Sequence, residues 1–128
     1  MSAKQLKPEP AITPSSRILV TGASGGIGQV LVKLLCLSSC RIGYHAQSPA
    51  STEVPKDILA LAQQHGAKIK TLSGNLATSD ICVDLIHRFN DFWDGIDALV
   101  QLHGDAHSIP INELSDDDWN DAIRINLT

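Results

Sequence analysis

Apolar positions along this chain fall into short unbroken runs that alternate with longer stretches of helical spacing. Arg17-Ile-Leu-Val-Thr21 is an apolar run that ends in glycines, and it reads as a buried strand. From Gly26 to Leu37 the spacing changes, with Ile27, Val30, Leu31, Leu34 and Leu35 recurring at intervals of three and four, which predicts a helix. Arg41–His45 is a second, weaker strand, and Ser48–Val54, rich in Ser and Pro, is a loop. Pro55–His65 is a helix, with proline at its start, where the missing N–H costs little, and Gly66 just past its end. Ala67–Leu72 is the third strand, and Ser79–Trp93 is an amphipathic helix built on Ile81, Leu85, Ile86, Phe89 and Trp93. Ile96–Leu102 is the fourth strand, followed by a loop through Pro110. The last helix runs over Ser115–Asn126, with Ser115 as N-cap and Asp116, Asp117 and Asp118 in its first turn, where they complement the helix dipole.

Strands separated by helices of this length predict an α/β fold. The sheet is parallel and doubly wound, with right-handed crossovers and helices on both faces. The 128 residues suffice for one domain, expected over 17–128 and preceded by a flexible tail at 1–16 that mixes lysines and prolines with polar residues. The tail lacks the apolar core of a signal peptide. A net charge of −4 without a basic tract argues against a nucleic-acid partner, and no apolar run approaches a membrane span. Three cysteines, Cys36, Cys40 and Cys82, without export features favour reduced thiols and a cytoplasmic setting. Neither the Cys36–Cys40 spacing nor the Asp116–Asp118 cluster makes a metal site; buried thiols and a solvated helix start account for them.

The chemistry resides in Thr21-Gly22-Ala23-Ser24-Gly25-Gly26-Ile27-Gly28, which leaves a predicted strand and opens a predicted helix. Gly22 permits the tight turn, Gly26 lets the backbone approach a pyrophosphate, and Gly28 lets the helix pack close to the sheet. Free N–H groups at the helix start then face the phosphates. A plain flexible turn would need none of this agreement between strand, glycine spacing and helix. A P-loop is excluded because no Gly-Lys-Ser/Thr follows.

This motif resembles the Thr-Gly-x-x-x-Gly-x-Gly of the short-chain dehydrogenase/reductase family, and the resemblance runs in one register from Arg17 to the C-terminus. Ile96-Asp-Ala-Leu-Val100 looks like that family's fourth strand, and Trp119–Leu127 like the helix after it. The glycine string also fits the extended epimerase branch and the zinc-independent quinone reductases, but the Ile96–Leu127 segment decides for the compact short-chain enzymes. The resemblance implies a Rossmann-type sheet of which four of seven strands are present, in order 3-2-1-4. It implies that Thr21 bonds the loop after the fourth strand. Gly22, Ser24, Gly25 and Ile27 then line the diphosphate, and Asn75 and Leu76 meet the adenine. Asn75 stands where relatives carry Asp, and its side-chain carbonyl can accept from the adenine amine in the same way.

An acid at the end of the second strand would bond the ribose 2′-OH and repel a 2′-phosphate. Here the sequence reads Tyr44-His-Ala-Gln-Ser48, with no acid, which leans toward NADP over NAD. His45, Gln47 and Ser48 are candidate hydrogen-bonding partners there, each weighed against being an unengaged polar loop residue. The family's Asn-Asn-Ala-Gly motif is Gln101-Leu102-His103-Gly104 in this chain, so His103 stands where a methyl group lies against the cofactor ribose. A metal pair of His103 and His107 lacks a third ligand. Asn126 occupies the position of the family's active-site asparagine. The family's Ser and Tyr-x-x-x-Lys are not present; Tyr44 is the only tyrosine, and Ser48 stands four residues after it. The resemblance therefore implies an oxidoreductase's cofactor-binding half that is inactive alone, or a non-catalytic dinucleotide-binding module. A carbonyl or alcohol substrate enters only with further chain. With Leu99–Leu102 as an apolar sheet edge, self-association is expected.

Overall fold

The structure, a computed structural model, describes residues 12–104 and 112–127, without the side chains of 122 and 124–127. Strands β1 (Arg17–Thr21), β2 (Arg41–Ala46), β3 (Lys68–Ser73) and β4 (Ala98–Gln101) alternate with helices α1 (Gly26–Leu37), α2 (Lys56–His65), α3 (Ser79–Trp93) and α4 (Asp116–Leu127). The four strands form one parallel sheet in the order β3-β2-β1-β4, a Rossmann-type α/β arrangement as the alternation predicts.

β1 is buried from Ile18 to Thr21 because helices cover it on both sides. Ile18, Val20, Ile42 and Tyr44 pack with Val32, Leu35 and Cys36 of α1 and Ile58 and Ala62 of α2. Leu19 and Leu72 meet Leu85 and Phe89 of α3 on the other side. Cys36 and Cys40 are buried free thiols, and burial pushes both above their ordinary pKa. Among the described residues no cluster could hold a metal ion, and no helix is long and apolar enough to cross a membrane.

Three expectations need correction. First, α1 buries Gly28, Val32, Leu35 and Cys36, while Ile27, Val30 and Leu34 are exposed. α1 is apolar nearly all round, so its spacing does not select a face; contact at Gly28 does. A Cβ there would come within 2.5 Å of the Gly22 carbonyl oxygen and 2.6 Å of Ala23 Cα. Second, the 48–54 loop contains a 3-10 turn at Pro49–Thr52, held by the Thr52 hydroxyl donating to the Pro49 carbonyl at 2.6 Å. Third, β4 is shorter than the Ile96–Leu102 run. Hydrogen bonds from Asp97 N–H to the Arg17 carbonyl and from Leu102 N–H to the Thr21 carbonyl still extend its ladder by one step at each end.

The tail expected at 1–16 lies outside the described residues over 1–11. Thr13–Ser16 closes a hydrogen-bonded turn, and the Ser16 carbonyl accepts from Arg41 N–H at 2.9 Å. At α4, Ser115 Oγ accepts from Asp118 N–H while Asp118 accepts from Ser115 N–H, both at 3.1 Å, a reciprocal cap.

Candidate functional site

The C-terminal ends of the four strands converge on the turn that leaves β1, the place where open parallel sheets bind ligands. Gly22 has φ +71, and a Cβ there would lie 2.6 Å from His103 N and 2.8 Å from the Leu102 carbonyl carbon. Only glycine satisfies both the dihedral and the close approach of the β4 loop. Thr21, 3% exposed, ties the same two segments together: its Oγ1 lies 2.9 Å from His103 Nδ1, and its carbonyl accepts from Leu102 N–H at 3.0 Å. The link expected between Thr21 and the loop after the fourth strand thus runs through His103.

Within the loop, Gly25 N–H donates to the Gly22 carbonyl at 3.2 Å and the Gln29 side chain donates to the Ser24 carbonyl at 3.1 Å. Gln29 N–H donates to the Gly25 carbonyl and begins the helical ladder. The amides of Gly26, Ile27 and Gly28 therefore stand at the helix start without intrahelical acceptors, in the positive end of its dipole. A Cβ built on Gly26 meets nothing within 4 Å, so the backbone is open there, whereas Gly22 and Gly28 are closed by the protein itself. This combination fits an anionic group held against Gly25, Gly26 and Ile27.

His45 is neither of the two things weighed for it, a partner near the ribose or an unengaged loop residue. It is 2% exposed and does not reach into solvent toward a phosphate. Its Nδ1 accepts from Gly22 N–H at 3.1 Å, its Nε2 lies 2.8 Å from the Gly74 carbonyl, and its own carbonyl accepts from Ala23 N–H at 2.8 Å. Burial pushes the imidazole below its ordinary pKa, the bond to Gly74 opposes that, and the nearby His103 adds to it. The signal that could have found it is position, since a histidine inside a strand covered on both faces must point inward, but that coverage is itself a tertiary fact.

Of the other expected residues, Gln47, Asn75, Leu76, His103 and Gly104 line one small cleft together with His45 and Gly74. Asn75 Oδ1 accepts from Ala77 N–H at 3.0 Å, which fixes the side chain and leaves a second lone pair. Leu102 packs into the core beneath α1 and α2, and Ser48 Oγ lies 3.1 Å from Ser51 Oγ at the exposed turn. Ser24 and Ser51 border a separate cavity of about 480 Å³ on the other side of the loop, with Lys56, Glu53 and Gln29. Tyr44 is fully buried there and burial pushes its phenol above the ordinary pKa, so it is no substitute for a catalytic tyrosine. Asn126 falls on α4 but its side chain lies outside the described residues, as does His107.

The family model for short chain dehydrogenases matches residues 16–128. The chain belongs to the short-chain dehydrogenase family. Among curated relatives it is 32% identical over 112 residues to nodulation protein G of Rhizobium sp. (strain N33), covering 88% of this chain and 43% of that protein. It is 31% identical over 110 residues to a 3-oxoacyl-acyl-carrier-protein reductase of Vibrio harveyi, covering 86% of this chain and 43% of that one. A dehydrogenase from Burkholderia cenocepacia with bound NADP superposes with a TM-score of 0.80 at 17% identity, over 98% of this chain and 48% of that chain. An NADH-dependent reductase complexed with NAD gives 0.77 at 22% identity, over 88% and 46%. The chain thus spans a little under half the length of the family members it matches.

Proposed function

We propose that this chain is the cofactor-binding half of an NADP(H)-dependent short-chain oxidoreductase. The observation that carries the reading is the loop itself: Gly22 and Gly28 are closed by the protein's own backbone while Gly26 opens outward at a helix start. Gly25, Gly26 and Ile27 hold the diphosphate, Ser24 and Gly22 shape its seat, and Thr21 fixes the loop to His103. Asn75, Leu76 and Gly104 border the cleft for the adenosine end. A nicotinamide dinucleotide supplies hydride transfer to or from a carbonyl or alcohol substrate when bound. The preference for NADP rests on the absence of an acid over Tyr44–Ser48, supported by Ser24, Ser51 and Lys56 around the neighbouring cavity, where Glu53 is the one carboxylate.

The Ser and the Tyr-x-x-x-Lys with which the family moves the substrate proton are not among these 128 residues. The substrate side of the reaction is therefore assigned to chain beyond them, with Asn126 as the one family active-site position present. The second reading, a non-catalytic dinucleotide-binding module, shares the same site and differs only in having no such extension. Titration calorimetry with NADP and NAD tests the shared part, with tighter binding of NADP expected. No heat at millimolar cofactor would overturn it. Gly26→Arg is expected to abolish binding without lowering the melting temperature, because the added side chain fills the open side of the loop and glycine is a poor helix former. An in-frame coding extension without a Ser and Tyr-x-x-x-Lys would decide for the module.

A further inference from the structure

His45 carries an inference that rests on the dinucleotide site proposed above and concerns what holds that site in shape. The imidazole sits between the turn after β1 and the turn after β3, and both its nitrogens are engaged. A backbone N–H can only donate, so Nδ1 facing Gly22 N–H at 3.1 Å must be the bare nitrogen. A backbone carbonyl can only accept, so Nε2 at 2.8 Å from Gly74 O must carry the hydrogen. The partners themselves thus assign the neutral Nε2–H tautomer. Around this ring the His45 carbonyl takes Ala23 N–H and the Ala46 carbonyl takes Gly74 N–H. One residue therefore fixes two successive amides of the glycine loop and the far wall of the cleft that Asn75 and Leu76 continue.

We infer that His45 is the positioning residue of the dinucleotide loop, and that a second proton on its ring unlatches Gly22 and makes cofactor binding proton-linked. An imidazolium would present Nδ1–H to Gly22 N–H, donor against donor, while the bond to Gly74 survives. The groups facing the ring are the Gly22 amide from the β1 turn, the Gly74 carbonyl from the β3 turn and the ring of His103 from the β4 loop. His103 is the titratable one among them, and a charge there opposes a charge on His45. No carboxylate among the described residues contributes to stabilising the protonated ring.

Binding that requires the neutral ring weakens by about tenfold per pH unit once the pH falls below the His45 pKa of the free protein. His45→Asn keeps an acceptor near the Nδ1 position but does not titrate; His45→Gln keeps a donor near Nε2 and offers Gly22 nothing. Binding of oxidised NADP and NAD to the 128-residue chain and both variants is measured by calorimetry from pH 7.5 down to pH 5, with circular dichroism confirming the fold at each point. NAD, which has no 2′-phosphate to titrate, is the decisive probe. The Asn variant is expected to bind at pH 7.5 within about threefold of the parent and to lose the acid decline, while the Gln variant binds more weakly at every pH. Imidazole nitrogen shifts of the unliganded parent are expected to show His45 as the Nε2–H tautomer at pH 7.5. A Nδ1–H tautomer, or parent and Asn variant with the same pH profile, would overturn the inference while leaving the dinucleotide site standing. Absence of any binding at pH 7.5 would instead overturn the proposed function and this inference with it.

Discussion

β2 and β4 are both parallel partners of β1, yet they live in different surroundings. β2, Arg-Ile-Gly-Tyr-His-Ala, is buried from Ile42 to Ala46, with β3 on its far side and helices over both faces. β4, Ala-Leu-Val-Gln, is the more apolar of the two, but it lies at one edge of the sheet, and Leu99 is 45% exposed. Ile86 on the neighbouring flank of α3 is exposed as well and shares an apolar cavity with Leu99 and Leu19. Strand composition therefore does not decide burial here; neighbours do. β1, which leads into the glycine loop, and β2, which carries His45, are enclosed. β4, like β3 at the opposite edge, has a strand neighbour on one side only among the described residues, and it presents apolar side chains to solvent.

That contrast can be probed from both strands. On β2, a Cβ at Gly43 would lie 2.6 Å from two ring carbons of Phe89 and 2.9 Å from Leu19 Cδ1. Gly43→Val is expected to cost about 1–3 kcal/mol of stability in urea denaturation, through overpacking against the α3 ring. A cost near zero would mean that the Phe89 side of the sheet is loosely packed and the contrast false. On β4, Leu99→Lys is expected to change stability by less than about 0.5 kcal/mol, because the side chain is already half in water. We propose that the isolated chain self-associates through this edge. Light scattering should show the parent as dimers or larger species and the lysine variant shifted toward monomer. A clean monomer for the parent would remove the proposal.

The smallest effect is expected where β1 meets the approach to β4. The Asp97 carboxylate accepts from Arg17 N–H at 2.7 Å and from its guanidinium at 2.9 Å, and these bonds hold its pKa down to about 2. A carboxylate depressed in the folded state stabilises the fold above its unfolded pKa, and that contribution is lost as the pH falls through the folded value. Asp97→Asn should therefore be modestly less stable at pH 7. The gap to the parent should stay open down to about pH 4 and close toward pH 2, as read from parallel denaturation curves. The pair is solvent-exposed, so high salt should narrow the gap as well.

Much of this was legible along the chain. The order of elements, the parallel sheet and the glycine loop follow from spacing that any local window carries: unbroken apolar runs for strands covered on both faces, three-and-four spacing for helices, and Gly66 at a left-handed helix end. The rotation of α1 was not legible, because a helix apolar nearly all round offers no preferred face until Gly28 meets Ala23. Nor was the role of His45: a polar residue near the end of a strand reads as a surface group unless the strand is known to be enclosed.

Local chemistry thus settles which segments become strands, helices and turns, and where the glycine turn sits, since dihedral and periodic preferences act over a few residues. The assembled sheet was needed to show that Thr21 reaches His103 over 82 positions, that the imidazole of His45 clasps Gly22 and Gly74, and that β4 has a strand on one side only among the described residues. Those facts depend on which distant groups fill the remaining hydrogen bonds and cover the remaining apolar surface, and no window of neighbouring residues contains them.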